Sequence, residues 1–221
     1  MKIRIFVALR KTTDYMHSKY KWLEIAQNLQ SIAQAGLTFT NDKYDIERYE
    51  QIMQMSKDIL SDFSNIKMEK LNNIFSLEEG YLTPKVDVRA VIFKENKILM
   101  VKETIDGKWS LPGGWADVGL TASEVVVKEV KEESGLEVCA EKILAVFDMK
   151  CHPHPPEIYY VYKLFFLCRE IGGVLATGIE TSDTGFFSLN NLPELSTNRN
   201  TLSQIEKMFY IKNNPQDTLF D

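Results

Sequence analysis

The segment that most constrains the fold is residues 113–136, GGWADVGLTASEVVVKEVKEESGL. It begins with two adjacent glycines, which favour a tight turn, and continues into a pattern that predicts a helix. This helix carries Glu129, Glu132 and Glu133. At about 100° per residue, these carboxylates fall on roughly a third of the helix surface and can converge on one point. A chain that collects these negative charges on one helix face must solvate them or neutralise them.

The turn before the helix bears on that choice. A solvated acidic face is the simpler explanation of an E-x-x-E-E pattern taken alone. The Pro112-Gly113-Gly114 turn favours a cation instead, because its bare backbone can approach the helix start and add a carbonyl oxygen. We assign that oxygen to Gly114. Hard divalent cations such as Mg²⁺ prefer oxygen ligands, so the segment predicts a cation site.

The same segment resembles the Nudix box, in which a glycine and a glutamate precede the pattern R-E-aliphatic-x-E-E-x-G-aliphatic. Gly114 opens the motif here, and residues 128–136 (KEVKEESGL) close it at the same spacing. The resemblance implies an α/β fold, the Nudix α/β/α sandwich with a mixed sheet, and a hydrolase of phosphoanhydride bonds. It also implies a bound Mg²⁺ or Mn²⁺. The ligands would be Gly114, Glu129, Glu132 and Glu133.

Two positions depart from the Nudix pattern. Leu120 stands where the family has glutamate, and Lys128 stands where it has arginine. In the family these two residues pair and orient the first catalytic glutamate, which corresponds to Glu129. Lysine keeps the charge of arginine but lacks its planar fork. We therefore expect Lys128 to brace Glu129 or to pair with Glu132, four residues further along the helix.

Composition narrows the partners. The 221 residues carry a net charge of −5, which gives no general attraction for DNA, RNA or an anionic membrane. No stretch approaches the roughly 20 apolar residues that cross a bilayer. Three cysteines without CxxC spacing predict thiols rather than disulfides or a zinc site. The apolar run in residues 1–13 is too short for a signal peptide and predicts a short strand or a frayed extension. A cytoplasmic enzyme without membrane or DNA partners is expected.

The first third of the chain predicts helices, because apolar residues recur there at helical spacing. The predicted helices cover residues 18–35, 44–63 and about 68–74. Gly36 is the expected C-cap of the first helix. Asn41 or Asp42 is the expected N-cap of the second.

These helices suggest a separate module. We place a helical extension over residues 1–80 and a catalytic domain over residues 81–221, with the turn-rich stretch LEEGYLTPK between them. One helical hairpin buries little apolar area by itself, so packing on the rest of the chain, dimerisation and covering of a substrate are the open roles. The pattern resembles the extension of Nudix enzymes that are ADP-ribose or CDP-choline pyrophosphatases. A homodimer is expected.

The second region predicts strands around the central helix. Predicted strands cover residues 86–93, 97–102, Val138 with 143–148, 158–169 and 185–187, and a final helix lies near residues 202–209. Alternation of strands with helices predicts a mixed sheet between helices.

Several side chains of this region are candidates for substrate contacts. Arg89 lies in the middle of a predicted strand, where an unpaired charge is costly. It either pairs with an acid such as Asp87 or binds a substrate phosphate, for which arginine is a fork-shaped donor. Trp115, Tyr159 and Tyr160 are possible stacking surfaces for a base, although such residues also serve as core.

Later loops add further candidates. Glu180 is the candidate for a further carboxylate that binds metal or acts as the general base, and Asp183 is the second choice. The alternative is that Glu180 is simply a solvated acid in a loop. His152 and His154 lie in the proline-rich loop CHPHPPE. Without a third ligand nearby, contact with a substrate base or simple exposure is preferred to a metal site.

Together these observations predict a metal-dependent pyrophosphohydrolase. It would act on a nucleotide-containing small molecule, a nucleoside diphosphate joined to a small group, with ADP-ribose and CDP-choline equally credible. Glu129 or Glu180 would take a proton from the attacking water. Two alternatives remain: a ligand-binding regulator that retains the fold with weak chemistry, and trimming of RNA from its 3′ end, which is not favoured in an acidic chain.

Overall fold

The structure is a computed structural model of the chain. It describes residues 20–76, 80–215 and 217–221, so the strand or extension expected in residues 1–13 lies outside the described residues. The chain divides into two compact units. Among the described residues, the first comprises those up to Pro84 together with Pro156–Tyr160, and the second comprises those of Lys85–Pro155 and Val161–Asp221.

The first unit is helical. Its elements are α1 (Lys21–Phe39), α2 (Lys43–Phe63) and α3 (Met68–Ser76). The Asp42 side chain caps α2 by accepting hydrogen bonds from the amides of Tyr44 and Asp45 at 2.9 and 3.1 Å. The core of this unit is formed by residues from all three helices: Ala26, Leu60, Leu71 and Phe75.

The expected end of the first helix was wrong. The helix α1 continues through Gly36 to Phe39, so Gly36 is not its C-cap. A Cβ atom at Gly36 would lie 2.4 Å from the ring of Tyr49 on α2. Glycine at this position therefore lets the two helices pack closely, and the sequence pattern alone does not separate that use of glycine from a cap.

Residues 156–160 belong to the helical unit, although the sequence predicted a strand from Ile158. The strand begins at Val161 instead. Ile158 packs against the helical core, and the side-chain amide of Gln27 donates to the carbonyls of Glu157 and Ile158 at 3.1 and 2.9 Å. These contacts replace the strand pairing that the β-prone sequence favours.

The second unit is built on two sheets. Its strands are β1 (Lys85–Val91), β2 (Phe93–Lys94), β3 (Lys97–Glu103), β4 (Trp109–Ser110), β5 (Leu136–Asp148), β6 (Val161–Gly173), β7 (Thr181–Phe187) and β8 (Leu219–Phe220). One sheet has the order β1-β6-β5-β8 and mixes parallel with antiparallel pairs. In the other, β3 pairs with β2, β4 and β7, all antiparallel.

Two helices cover these sheets: α4 (Ala122–Ser134) and α5 (Leu202–Asn213). Each helix packs into a separate hydrophobic core. Val125, Val126 and Val130 of α4 pack with Val88, Ala90, Ile92, Leu99 and Phe166. Ile205, Met208 and Phe209 of α5 pack with Val91, Met100, Leu111, Phe147 and Phe165. Burial of each such side chain contributes roughly 1.5–3 kcal/mol. The α/β class with a mixed sheet between helices is confirmed.

The strand β5 is longer than the sequence predicted. A single strand runs from Leu136 to Asp148, with shifts of register between Glu137 and Val138 and twice more further along. Such bulges bend a strand and break its alternation of apolar and polar residues, which explains why the sequence indicated only Val138 and the part from residue 143.

The cysteines and the length and polarity of the helices bear on two predictions from the sequence. The three cysteines are free thiols, as predicted. In the ranges that the structure describes, the helices are too short or too polar to traverse a bilayer.

Candidate active site

The glycine turn is fixed along β1 by backbone hydrogen bonds. The amide of Val88 donates to the carbonyl of Gly114, and that of Ala90 donates to the carbonyl of Pro112, both at 2.8 Å. Gly113 has φ +140°, and a Cβ atom there would lie 2.0 Å from the Val88 carbonyl oxygen. Only glycine fits so close to a neighbouring strand, so the missing side chain of Gly113 allows the turn to pack against β1.

The helix α4 is fixed at both ends. Thr121 and Glu124 form a capping box at its start, and Gly135 closes it in the left-handed conformation with φ +74°. The buried valines of α4 fix its rotation, because they must face the sheet. This rotation directs the acidic residues toward the glycine turn and its surroundings.

Glu133 lies at the inner end of the acidic face. Its residue is 6% exposed, and Oε2 accepts a hydrogen bond of 2.8 Å from the amide of Gly113. Burial raises the pKa of the Glu133 carboxyl to about 8, against the attraction of Arg89 and the Gly113 amide, and the charges of Glu103 and Glu129 raise it further. An ion at this carboxylate would relieve that cost.

Glu129 lies beside the second glycine. A Cβ atom at Gly114 would lie 3.4 Å from the carboxylate of Glu129. Because glycine has no side chain, the carboxylate has room beside this turn. Burial raises the pKa of Glu129, Lys128 opposes this, and the charges of Glu132 and Glu180 add to the rise. Glu129 therefore lies in the electrostatic field of two other candidate acids, Glu132 and Glu180.

Glu132 is at the outer edge. Its side chain is 59% exposed, and its Oε2 lies 3.8 Å from Nζ of Lys128, the i,i+4 contact expected from the sequence. The closer partner of Lys128 is Asp117, at 2.8 Å. The hydrogen bond to Asp117 and its charge raise the pKa of Lys128. The structure thus brings Glu129 and Glu133 to the glycine turn and directs Glu132 toward Lys128.

The donor set fits a divalent cation, although the acids do not close around a point. In the described part of the chain, no three His, Cys, Asp or Glu side chains stand close enough together to bind one ion. Glu129 and Glu133 nevertheless offer oxygen ligands, and burial raises the pKa of both. A hard cation favours such carboxylates in their charged form. The metal roles of Gly114, Glu129, Glu132 and Glu133 stay predictions.

Arg89 takes the structural alternative that the sequence left open. Its Nε and Nη2 donate to the two carboxylate oxygens of Asp87 at 2.9 and 2.6 Å, and Nη1 donates to the carbonyl of Leu111 at 3.1 Å. Both charged residues are buried. Burial opposes ionisation of Asp87, but attraction to Arg89 and Lys163 holds the pKa of Asp87 below its ordinary value. A phosphate contact by Arg89 stays a prediction.

The structure adds a buried lysine that sequence reasoning missed. Lys163 on β6 places Nζ 3.1 Å from Oδ1 of Asp87, where burial and the nearby Arg89 lower the pKa of the lysine to about 8 even though Asp87 opposes the change. A signal was available, because Lys163 is the one charged residue in the otherwise apolar and aromatic run IYYVYKLFFL, where an unpaired charge is costly.

The loop before α5 holds the start of the glycine turn. Oδ1 of Asn200 accepts from the amide of Leu111 at 2.8 Å. Nε of Arg199 lies 2.7 Å from Oε1 of the buried Glu103, which also accepts from Ser110 at 2.6 Å. Nothing in the sequence pattern singles out these residues, because their contacts join segments about 90 residues apart.

The remaining candidate residues lie at β7, after the glycine turn and in the helical unit. Glu180 directly precedes β7, and its charge contributes to the raised pKa of Glu129. Asp183 lies within β7, opposite Lys102 on β3. Trp115 follows the glycine turn and is 51% exposed. Tyr159 and Tyr160 lie in the segment that belongs to the helical unit.

Both loop histidines are buried, so simple exposure was wrong. Nε2 of His152 lies 3.0 Å from Oδ2 of Asp221, and Nδ1 of His154 lies 2.7 Å from the carbonyl oxygen of Thr197. Burial and the charge of Lys163 lower the pKa of His154 to about 3, so its ring is neutral. With a carbonyl as partner, Nδ1 must carry the proton.

Comparison with known proteins identifies two domains in the chain. A family model described as a NUDIX domain matches residues 83–207, and one described as a UDP-X-like, N-terminal oligomerisation domain matches residues 20–75. The Bacillus subtilis (strain 168) protein named "Putative ADP-ribose pyrophosphatase YjhB" is 46% identical over 202 residues, covering 91% of this chain and 97% of that protein.

Two crystal structures are similar as well. That of an ADP-ribose pyrophosphatase from Streptococcus suis 89-1591 is 46% identical with a TM-score of 0.57, and the match covers 63% of this chain and all of that one. That of a UDP-X diphosphatase is 32% identical with a TM-score of 0.61, covering 91% of this chain and 98% of that one.

The NUDIX match covers more than half of the chain and includes the glycine turn and the whole of α4. The resemblance of the sequence motif, the sheet with its two covering helices and the family match all agree. The chain belongs to the NUDIX family and is a hydrolase that acts on pyrophosphate bonds.

Proposed function

We propose that this enzyme is a divalent-cation-dependent pyrophosphohydrolase that cleaves the diphosphate of a nucleoside diphosphate joined to a small group. The products are a nucleoside monophosphate and the phosphorylated group. The observation that carries the proposal is the placement of Glu129 and Glu133 at one glycine turn, where burial raises the pKa of both carboxyls. A buried and a partly buried carboxylate at one turn are suited to bind a divalent cation, which in turn binds the diphosphate of the substrate.

ADP-ribose is the leading substrate. The similar protein of Bacillus subtilis and the similar structure from Streptococcus suis both carry ADP-ribose pyrophosphatase in their names. CDP-choline stays in the proposed class, because chemistry at the diphosphate is separate from recognition of the base. The likeness to a UDP-X diphosphatase over most of the chain supports UDP-linked compounds as a third class to test.

The proposed ion is Mg²⁺ or Mn²⁺, since Nudix hydrolases generally use divalent metal ions. A bound ion supplies neutralisation of phosphate oxygens and a lower pKa for water. Glu129, Glu132 and Glu133 would hold it. The carbonyl oxygen of Gly114 would join them, because a carbonyl has two lone pairs and Val88 takes one.

Glu129 is the proposed general base, and Glu180 is the alternative. The base takes a proton from the attacking water onto a carboxylate oxygen. The charge of Lys128 lowers the pKa of Glu129 against the effect of burial, which favours the carboxylate form that a base requires. This is the catalytic role that we propose for Lys128.

Arg89 and Trp115 are the proposed substrate contacts. Of the five N–H groups that an arginine offers, three donate to Asp87 and Leu111, so two can reach a phosphate. The half-exposed indole of Trp115 follows the glycine turn and offers a face on which a base can stack.

We further propose a homodimer formed through the helical unit. The match to an N-terminal oligomerisation domain supports an oligomer. Large apolar side chains on the surface of this unit also support it: Ile25, Ile32, Phe39, Met55 and Phe63. The free thiols fit the reducing cytoplasm, where we expect the enzyme to act.

The test is a substrate panel of ADP-ribose, CDP-choline and UDP-linked sugars. Each is incubated with Mg²⁺, with Mn²⁺ and with excess EDTA, and the products are separated by chromatography. We expect a nucleoside monophosphate from at least one member with metal and none with EDTA. No product from any member with either ion would contradict the proposal.

A short RNA added to the panel and a calorimetric binding measurement test the two alternatives from the sequence, which the similar proteins do not support. A short RNA that loses 3′ nucleotides faster than any nucleoside diphosphate compound is cleaved would favour RNA trimming. Tight binding of ADP-ribose by calorimetry without any product would favour a ligand-binding regulator.

A further inference from the structure

Lys128 is held between two acids that belong to different elements. Its Nζ lies 2.8 Å from Oδ2 of Asp117, which is in the turn before α4, and 3.8 Å from Oε2 of Glu132, which is on α4 itself. An ammonium group has three donors, so it can serve both acids, but the shorter contact decides where it stands. In this structure that contact is the one to Asp117.

The position of this ammonium matters because Glu132 is a candidate ligand for the cation. A lysine at i and a glutamate at i+4 attract each other on any exposed helix. If Lys128 closed fully on Glu132, the resulting ion pair would compete with a divalent cation for the same carboxylate. With Asp117 as its nearer partner, the ammonium stands 3.8 Å from the Glu132 carboxylate. The backbone of Asp117 lies in the turn that also contains Leu120.

Leu120 itself cannot supply an acid, and its side chain is partly exposed. We propose that Asp117 is a positioning residue that holds Lys128 at the edge of the acidic face and so keeps Glu132 available for a divalent cation. This inference rests on the proposed function, but it concerns binding of the ion rather than turnover. It assigns to Asp117 a role that acts through Lys128 and Glu132.

The chain offers a matched control on the same helix. Lys131 bridges to Glu137 at 2.9 Å, with side-chain exposures of 53% and 56%, close to the 42% and 51% of Lys128 and Asp117. Glu137→Gln therefore removes one exposed negative charge and one equivalent bridge from α4 without touching Lys128. It accounts for any general loss of attraction between the protein and a cation.

The experiment measures Mn²⁺ binding to the full-length protein by calorimetry, without substrate. Asp117→Asn should weaken binding about tenfold, at the lower end of what indirect partners of metal ligands contribute, and Glu137→Gln should leave it within about twofold. In a Lys128→Met background, Asp117→Asn should have no further effect, because the competing ammonium is gone. Thermal unfolding of each variant checks that the fold is intact.

The outcomes separate the two claims. Equal Mn²⁺ affinity for wild type and Asp117→Asn overturns the role of Asp117, as does an undiminished effect of Asp117→Asn in the Lys128→Met background. A tenfold effect that disappears in that background supports it, whatever the substrate panel shows. Wild-type protein that binds Mn²⁺ with this coupling but hydrolyses no pyrophosphate compound contradicts only the proposed function.

Discussion

Glu132 and Glu133 are adjacent in the sequence, yet they stand in two different regions of the site. The inner region consists of buried groups: Asp87, Arg89, Gly113, Glu133 and Lys163. The outer region consists of exposed groups: Asp117, Lys128 and Glu132. Both regions join lysine or arginine to carboxylates at similar distances, so solvent is what distinguishes them.

Exposure to solvent determines how much each ion pair contributes to the stability of the fold. In the inner region, water cannot compensate for a lost partner, and removal of one ion leaves the others buried and unpaired. In the outer region, water replaces a partner at little cost, so the pairing directs side chains rather than stabilising the fold. The inner region is thus expected to control stability, and the outer region is expected to adjust the metal ligands.

The largest effect is expected from Asp87→Asn. The substitution leaves Arg89 and Lys163 buried without their shared anion, which should lower the free energy of unfolding by about 3 kcal/mol. Urea unfolding followed by circular dichroism measures it. Adding Lys163→Met should recover part of the loss, because only one cation then lacks its partner. A loss below about 1 kcal/mol would remove the distinction between the two regions.

The next effect concerns turnover. Glu133→Gln can still accept the hydrogen bond from Gly113 but carries no charge, so we expect kcat to fall by at least about 100-fold with the fold intact. Glu132→Gln should also lower kcat, but by less, because Glu132 reaches the ion from the exposed edge. Kinetics with the best substrate of the panel measure both. Unchanged kcat in both variants would remove the site assignment.

Much of this site could be predicted from residues 113–136 alone. Spacing placed Glu129, Glu132 and Glu133 on one helix, and the glycines indicated close approach of backbone, which Gly113 shows beside Val88. Spacing within a helix is a local property, so the sequence carries it completely. The i,i+4 contact of Lys128 with Glu132 was accessible for the same reason.

What the sequence did not provide depends on contacts between distant segments. Asn200 reaches the amide of Leu111, and Lys163 reaches Asp87, only after the sheet has formed. The use of Gly36 for packing and the transfer of Ile158 to the helical core also depend on partners far along the chain. A pattern of local periodicity contains no signal for such partners.

A pH-dependent effect follows from the raised pKa of Glu133. Burial raises it from an ordinary value of 4.5 to about 8. Between these values the folded, metal-free protein keeps the proton and the unfolded chain does not, so the free energy of unfolding falls as pH rises and levels off above about 8. Glu133→Gln has no such proton, so its stability relative to wild type should rise across this window.

Urea unfolding of both proteins in EDTA at several pH values between 5 and 9 measures this difference. Groups distant from Glu133 titrate alike in wild type and variant, so their contributions cancel in the comparison. A difference that stays constant with pH would show that Glu133 is ionised in the folded protein throughout this range, which would contradict the raised pKa.

The smallest effect is expected in the outer region. Asp117→Asn breaks an ion pair whose side chains are 42% and 51% exposed, so the free energy of unfolding should fall by less than about 1 kcal/mol. That loss should shrink further in 1 M salt, because the screening length there is only about 3 Å, whereas the loss in Asp87→Asn should persist. Parallel urea titrations at low and high salt measure both variants. A salt-independent loss of several kcal/mol in Asp117→Asn would mean that the outer region is shielded from water, and that Asp117 stabilises the fold in addition to directing Lys128.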